Sequence, residues 1–179
     1  MKLQEAVVLL NAAQPAPAGT WADLGAGTGT FTRALGQLLG RDGHIYAVDR
    51  DGAALATLRA APARSGCAAI TTVQADFTGP LRQHLPDPLA GLLLANALHF
   101  VPNPHAVLAQ LSELLRPGGQ VILIEYDRRP ANRWVPHPIW IEHLPALAAA
   151  AHLDAPRVVA RRPSAYGGDL YVAVSHASA

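Results

Sequence analysis

Residues 20–31 read TWADLGAGTGTF. A short apolar run ends at Asp23, and glycines then recur at every second position, Gly25, Gly27 and Gly29. Without a Cβ, the chain can turn sharply and a ligand can lie directly on its backbone. A strand that runs into a glycine turn and then a helix is the usual entry to a nucleotide-type cofactor site in a parallel α/β sheet. Turns that hold a pyrophosphate use G-x-G-x-x-G. Here the third glycine comes one residue sooner, and a carboxylate stands two residues before the first. That carboxylate would repel a phosphate and would suit a cationic or amino-bearing ligand. Taken alone, the motif also fits a glycine-rich turn that binds nothing.

Helical and strand patterns alternate along the chain, which predicts a parallel sheet with helices on both faces. Helices are expected over 3–13, 30–39, 52–59, 105–115 and 141–152. Strands are expected over 20–24, 44–48, 69–74, 89–95 and 120–126. Arg116-Pro117-Gly118-Gly119 reads as the break between the fourth helix and the fifth strand. The segment 128–140, rich in Pro, Arg and Trp, reads as a loop. Two last strands, 157–161 and 170–175, are joined through Tyr166-Gly167-Gly168-Asp169. So short a link predicts an antiparallel pair, because parallel strands need a longer crossover.

With 179 residues, the chain is expected to be one domain, 1–179, able to bury a sizeable core. No apolar run reaches the roughly 18 residues of a membrane span. The opening MKLQEAVVLLNAA has the Lys and apolar stretch of a signal peptide, but Glu5 interrupts a short run, so an amphipathic first helix is expected. A net charge of +1 argues against a strong electrostatic grip on nucleic acid. The one cysteine, Cys67, excludes an internal disulfide and fits a reducing, cytoplasmic setting.

Four stations in register resemble the class I S-adenosylmethionine (SAM) dependent methyltransferases, over about residues 18–127. They are DLGAGTG at 23–29, AVDRD at 47–51, QADF at 74–77, and LLLANALHFVPNPHAVLAQLSELLRPGGQVIL at 92–123. The resemblance implies a doubly wound, mostly parallel, seven-stranded Rossmann-like sheet ending in an antiparallel hairpin, with SAM as the cofactor. It implies that the backbone from Gly25 through Ala26 and Gly27 to Gly29 packs against the methionine and ribose parts of SAM. Asp23 would sit near the methionine amino group and the sulfonium. Asp49, beside Arg50, would accept the ribose hydroxyls, Asp76 the adenine amine, and Phe77 would lie on the adenine ring. Asn96 and Ala97 would pass under the methyl donor. Each residue also has a plainer reading: Asp49 and Asp51 as helix caps, Asp76 as a strand-end turn, Phe77 as core.

His99, at the mouth of the expected crevice, is the candidate catalytic base or substrate hydrogen-bond donor. The acceptor is expected to meet His99, Tyr126, Trp134, His137 and Trp140. His137 and His143 lie six apart with no Cys and no H-E-x-x-H, so no metal site is expected. Asn96-Ala97-Leu98-His99 departs from the N/D-P-P-Y/F loop of DNA amino-methylation, so DNA is not an expected acceptor. A small molecule is favoured, with RNA and protein groups left open. The crevice would be open, or closed by the first helix, the 128–140 loop or a second subunit, as in a homodimer. A SAM-binding protein without catalysis and a Rossmann NAD(P)-dependent oxidoreductase are the alternatives. The latter is weakened by the absence of a Tyr-x-x-x-Lys pair.

Overall fold

The computed structural model describes residues 1–62, 64–86, 88–164 and 167–178. A first helix, α1 (Leu3–Asn11), is followed by two strand–helix units, β1 (Gly19–Leu24) with α2 (Thr30–Leu39) and β2 (Gly43–Asp49) with α3 (Gly52–Ala60), and then by β3 (Ala69–Gln74). Then come β4 (Leu89–Ala95), α4 (Pro104–Ser112), β5 (Leu115–Asp127), α5 (Leu144–Ala150), β6 (Arg157–Pro163) and β7 (Asp169–His176). The strands form one seven-stranded sheet in the order β3-β2-β1-β4-β5-β7-β6. β1 to β5 are parallel, and β7 runs antiparallel to both β5 and β6. The winding reverses between β1 and β4, and the ends of strands beside such a reversal leave a crevice.

Local chemistry sets the element starts. Asp51 caps α3, accepting from the N–H groups of Ala53 and Ala54 at 2.9 and 3.1 Å. Asn103 caps α4 through Ala106 N–H, with Pro104 in the first turn, where its missing donor costs nothing. β4 is buried along its whole length, as a central parallel strand covered on both faces must be. Gly91 stands in this apolar strand opposite Trp21 of β1, and a Cβ there would run into the indole ring. One core lies on the α4–α5 face, around Leu92, Leu94, Leu111 and Leu123; the other lies on the α1–α2 face, around Trp21, Leu35, Leu93 and Ile122.

Three expectations need correction. The fourth helix stops at Ser112, and Arg116–Gly119 belongs to β5 instead of preceding it. Those residues are held by Ala177, which accepts from Gly118 N–H at 3.1 Å and donates to Gly119 C=O at 2.8 Å. The last helix is a 3₁₀ turn over Ile141–His143 followed by the shorter α5, which ends before His152 at φ +53°. In the final hairpin, Tyr166 lies outside the described residues. Gly167 and Gly168 both take positive φ, and Ser164 N–H donates to Gly168 C=O at 3.0 Å. No helix among the described residues is long and apolar enough to cross a membrane.

Candidate active site

The crevice is a cleft of about 380 Å³ at the C-terminal ends of β1 to β4. Backbone hydrogen bonds tie its walls together. Gly25 and Ala26 N–H donate to Val48 C=O at 2.9 and 3.0 Å, Ala75 N–H to Asp49 C=O at 3.1 Å, and Asn96 N–H to Ile124 C=O at 2.8 Å. Gly25, at φ +78°, lies so close to Ala97 that a Cβ would come within 2.7 Å of the alanine methyl, and Phe77 closes the same corner. Glycine is required there by both conformation and space. Gly27, at φ +54°, faces open space where a side chain would meet nothing within 4 Å.

Asp49 joins the glycine turn to α3. Its Oδ2 accepts Gly27 N–H at 2.7 Å and its Oδ1 accepts Asp51 N–H at 2.8 Å. Across the cleft, Asp76 Oδ1 accepts both Thr78 N–H and Thr78 O–H, at 2.9 and 2.7 Å. These bonds, with a smaller contribution from the Arg50 charge, hold the Asp76 carboxyl below the ordinary carboxylate range, so it is ionised at neutral pH. Asn96 takes a left-handed backbone at φ +55°, and its Oδ1 is buried with no hydrogen-bond partner. A buried acceptor without a donor calls for an explanation.

Of the residues marked in the sequence, Gly25, Asp49, Arg50, Asp76, Phe77 and Asn96 line this cleft together. Asp23 sits behind it, 1% exposed, and its Oδ2 accepts a hydrogen bond from the Thr32 hydroxyl at 2.6 Å. Burial raises its pKa to about 7; the Thr32 hydrogen bond opposes the rise and the charge on Asp49 adds to it. Gly29 is turned toward Leu58 of α3, where a Cβ would collide, so helix packing and φ +83° account for this glycine. Thr78, Phe100, Val101 and Pro102 also line the cleft and were not singled out in the sequence. D-F-T, an Asx-type turn signal, could have marked Thr78. The half-exposed Phe100 has no comparable local signal.

The residues expected to meet an acceptor do not form one wall. His99 is 2% exposed and tied to Glu125, a fully buried residue of β5 within the apolar run VILIEY. Its ring lies 4.4 Å from that of Phe100 and 6.2 Å from that of Tyr126. The Arg129 guanidinium covers Tyr126 at 4.8 Å, and Arg129 C=O accepts Trp140 Nε1–H at 3.2 Å. Trp140 and His143 stack and line a separate shallow depression with Arg128 and Pro130. The Trp134 side chain is 62% exposed, and His137 is exposed with its backbone N–H bonded to His99 C=O.

The sequence pattern of a family described as a methyltransferase domain matches residues 22–119. The chain is also 30% identical, over 112 residues, to the ubiquinone biosynthesis O-methyltransferase of Pseudomonas aeruginosa. That alignment covers 60% of this chain and 44% of the relative, so the chain spans less than half of that protein's length. Among the solved structures that resemble it in fold are two methyltransferases. One is an arsenic(III) S-adenosylmethionine methyltransferase from Chlamydomonas reinhardtii, with TM-score 0.73 and 18% identity, covering 99% of this chain and 73% of that one. The other is the 1,6-didemethyltoxoflavin-N1-methyltransferase of Burkholderia thailandensis, with TM-score 0.72 and 21% identity, covering 99% and 78%. Identity this low establishes a common architecture and leaves function to the site.

Proposed function

The chain belongs to the methyltransferase-domain family, and from that premise we propose that it transfers a methyl group from S-adenosylmethionine to a small-molecule acceptor. The reading takes residues 1–179 as one domain at work in a reducing cytoplasm. The observation that carries it is the meeting of Asp49, Asp76, Phe77 and Asn96 around Gly25, from the tips of four adjoining strands, in a single cleft.

The donors and acceptors of that cleft fit an adenosyl sulfonium. Asp49 would accept the ribose hydroxyls, exchanging its bond to Gly27 N–H or sharing it, since a carboxylate has about four acceptor sites. Asp76, held ionised, would accept the adenine amine, and Phe77 would cover the ring. The unpartnered Oδ1 of Asn96 would take a donor from the ligand. The backbone from Gly25 to Gly27 would lie along the methionine part, with the carboxyl of Asp23 behind it. α2 has no side-chain cap, which leaves N–H donors for a ligand carboxylate.

When bound, the sulfonium supplies an electrophilic methyl group, and catalysis rests mainly on holding a nucleophile in line and away from water. The segment 96–102 would do the aligning, with Phe100 at the mouth and Tyr126 beyond it. His99 has one ring nitrogen engaged by Glu125. Nε2 is the atom left to accept a proton from the acceptor. Trp140 and the 128–140 loop would flank the entrance, and a second subunit could complete the cover.

Isothermal titration with SAM and with S-adenosylhomocysteine tests the reading. Micromolar binding is expected. It should be abolished by Gly27→Arg, which fills the open space, and weakened at least about tenfold by Asp49→Ala. Circular dichroism checks that both variants fold. Tight NADH binding with no SAM binding would contradict the assignment. Tritiated-methyl transfer to fractionated extract then identifies the acceptor, with RNA and protein fractions included.

A further inference from the structure

A second concavity, of about 410 Å³, lies between α2 and α3 over the outer part of the sheet and shares no lining residue with the cleft. Arg41 and Ala69 place it toward the N-terminal ends of β2 and β3, opposite the strand ends that form the cleft. Arg33, Arg41, Arg59 and Arg64 all line it, and none of its described lining residues is Asp or Glu. A solvated helix face ordinarily mixes the two signs.

Ion pairing among the described residues does not account for these arginines. Arg33, Arg41 and Arg64 form no ion pair among the described residues. Arg59 donates to the neutral Thr72 hydroxyl at 2.9 Å, which fixes its head at the groove and leaves its charge unmatched. Gln37, one turn after Arg33 on α2, lies between it and Arg41 of the turn that follows the helix, and its Nε2 is buried with no acceptor. The described lining therefore offers guanidinium and amide donors, and its Thr72 hydroxyl is already engaged by Arg59.

We propose that this groove binds a compact polyanion carrying phosphate groups. Guanidinium forks match phosphate oxygens in pairs, and such charge-assisted bonds are the stronger class. An anion seated there would also supply the acceptor that Gln37 Nε2 lacks. The volume falls in the range of about 300–1,000 Å³ usual for small-molecule sites. The proposal stands on this groove alone and does not depend on what the cleft binds.

Cys67, the chain's only cysteine, lines the groove and provides a local reporter. The probe is inorganic tripolyphosphate, and the readout is the rate of Cys67 alkylation by iodoacetamide, followed by mass spectrometry at constant ionic strength. Saturable slowing of about threefold or more is expected, since an anion seated in the groove covers the thiol that lines it. In the Arg33→Ser/Arg41→Ser variant the half-effect concentration should rise at least about tenfold. Equal protection by sulfate, or unchanged protection in the variant, would overturn the proposal. A single-stranded RNA 12-mer is the second probe: protection by RNA with none by tripolyphosphate would overturn a compact ligand in favour of a strand.

Discussion

The carboxylate of Glu125 grips His99 at two points, with Oε2 2.6 Å from the ring Nδ1 and Oε1 3.2 Å from the backbone nitrogen. The pair couples the middle of the sheet to the segment that floors the cleft, because His99 lies three residues after Asn96 and just before Phe100. His99 C=O in turn accepts His137 N–H at 3.0 Å, so the 128–140 loop hangs on the same residue.

Glu125→Ala removes the acceptor for both donors inside the core. A buried donor left without its acceptor costs about 1–3 kcal/mol. Glu125→Gln keeps an acceptor and should lose much less. With methyl transfer as the assay, Glu125→Gln should lower kcat while leaving the KM for SAM within about twofold, because the role proposed for His99 is on the acceptor side. Equal stability of the two variants, or a KM effect alone, would contradict the role assigned to the pair.

Asp23 gives the fold a pH dependence of unusual sign for an acid. Burial lifts its pKa from 3.8 to about 7, so the folded chain retains a proton that the unfolded chain has already released in that interval. Stability from this site is complete below about pH 4, falls as pH rises through about 7, and is constant beyond. Asp23→Asn abolishes the titration. The wild-type stability minus that of the variant should fall between pH 4 and 7 by up to about 4 kcal/mol, at about 1.4 kcal/mol per decade of proton affinity. Urea melts of both proteins at pH 5 and pH 8 provide the comparison, and a difference that does not move with pH would contradict the raised value.

Gly29 is a packing glycine. Gly29→Ala places a methyl group against Leu58 at φ +83°, and overpacking of this kind costs about 1–3 kcal/mol before the backbone strain is added. Leu58→Ala alone opens a core cavity at a cost of about 2–5 kcal/mol. The double variant should be less destabilised than the sum of the two, because the new methyl then has room. Strict additivity in a thermal-melt cycle would assign the whole penalty to the backbone.

The parallel part of the fold was legible in the chain because its signals are local. β4 is an unbroken apolar run, α2 carries Phe31, Leu35, Leu38 and Leu39 at helical spacing, and Asp51 announces its own helix. What sequence could not reveal depends on partners distant along the chain. Gly118 and Gly119 look like a helix stop until Ala177, about sixty residues on, pairs with them in the sheet. Among the residues that line the cleft, Asp49, Asp76 and Asn96 were readable because each stands at or just past the end of a strand. Glu125 was hidden inside VILIEY, since a carboxylate in a buried strand declares itself only when its partner, His99, folds over it. Trp134 is the opposite case: aromatic residues in a loop suggest a pocket, and this one is largely exposed, with Arg133 over its ring at 4.7 Å.

The grip on the ribose is the central claim, and a crystal structure of the protein soaked in S-adenosylhomocysteine tests it most directly. The compound should lie in the cleft at the ends of β1 to β4, with both ribose hydroxyls within hydrogen-bonding distance of Asp49 and the adenine between Asp76 and Phe77. A ribose turned away from Asp49, or a cleft that stays filled by its own side chains under saturating compound, would contradict the account.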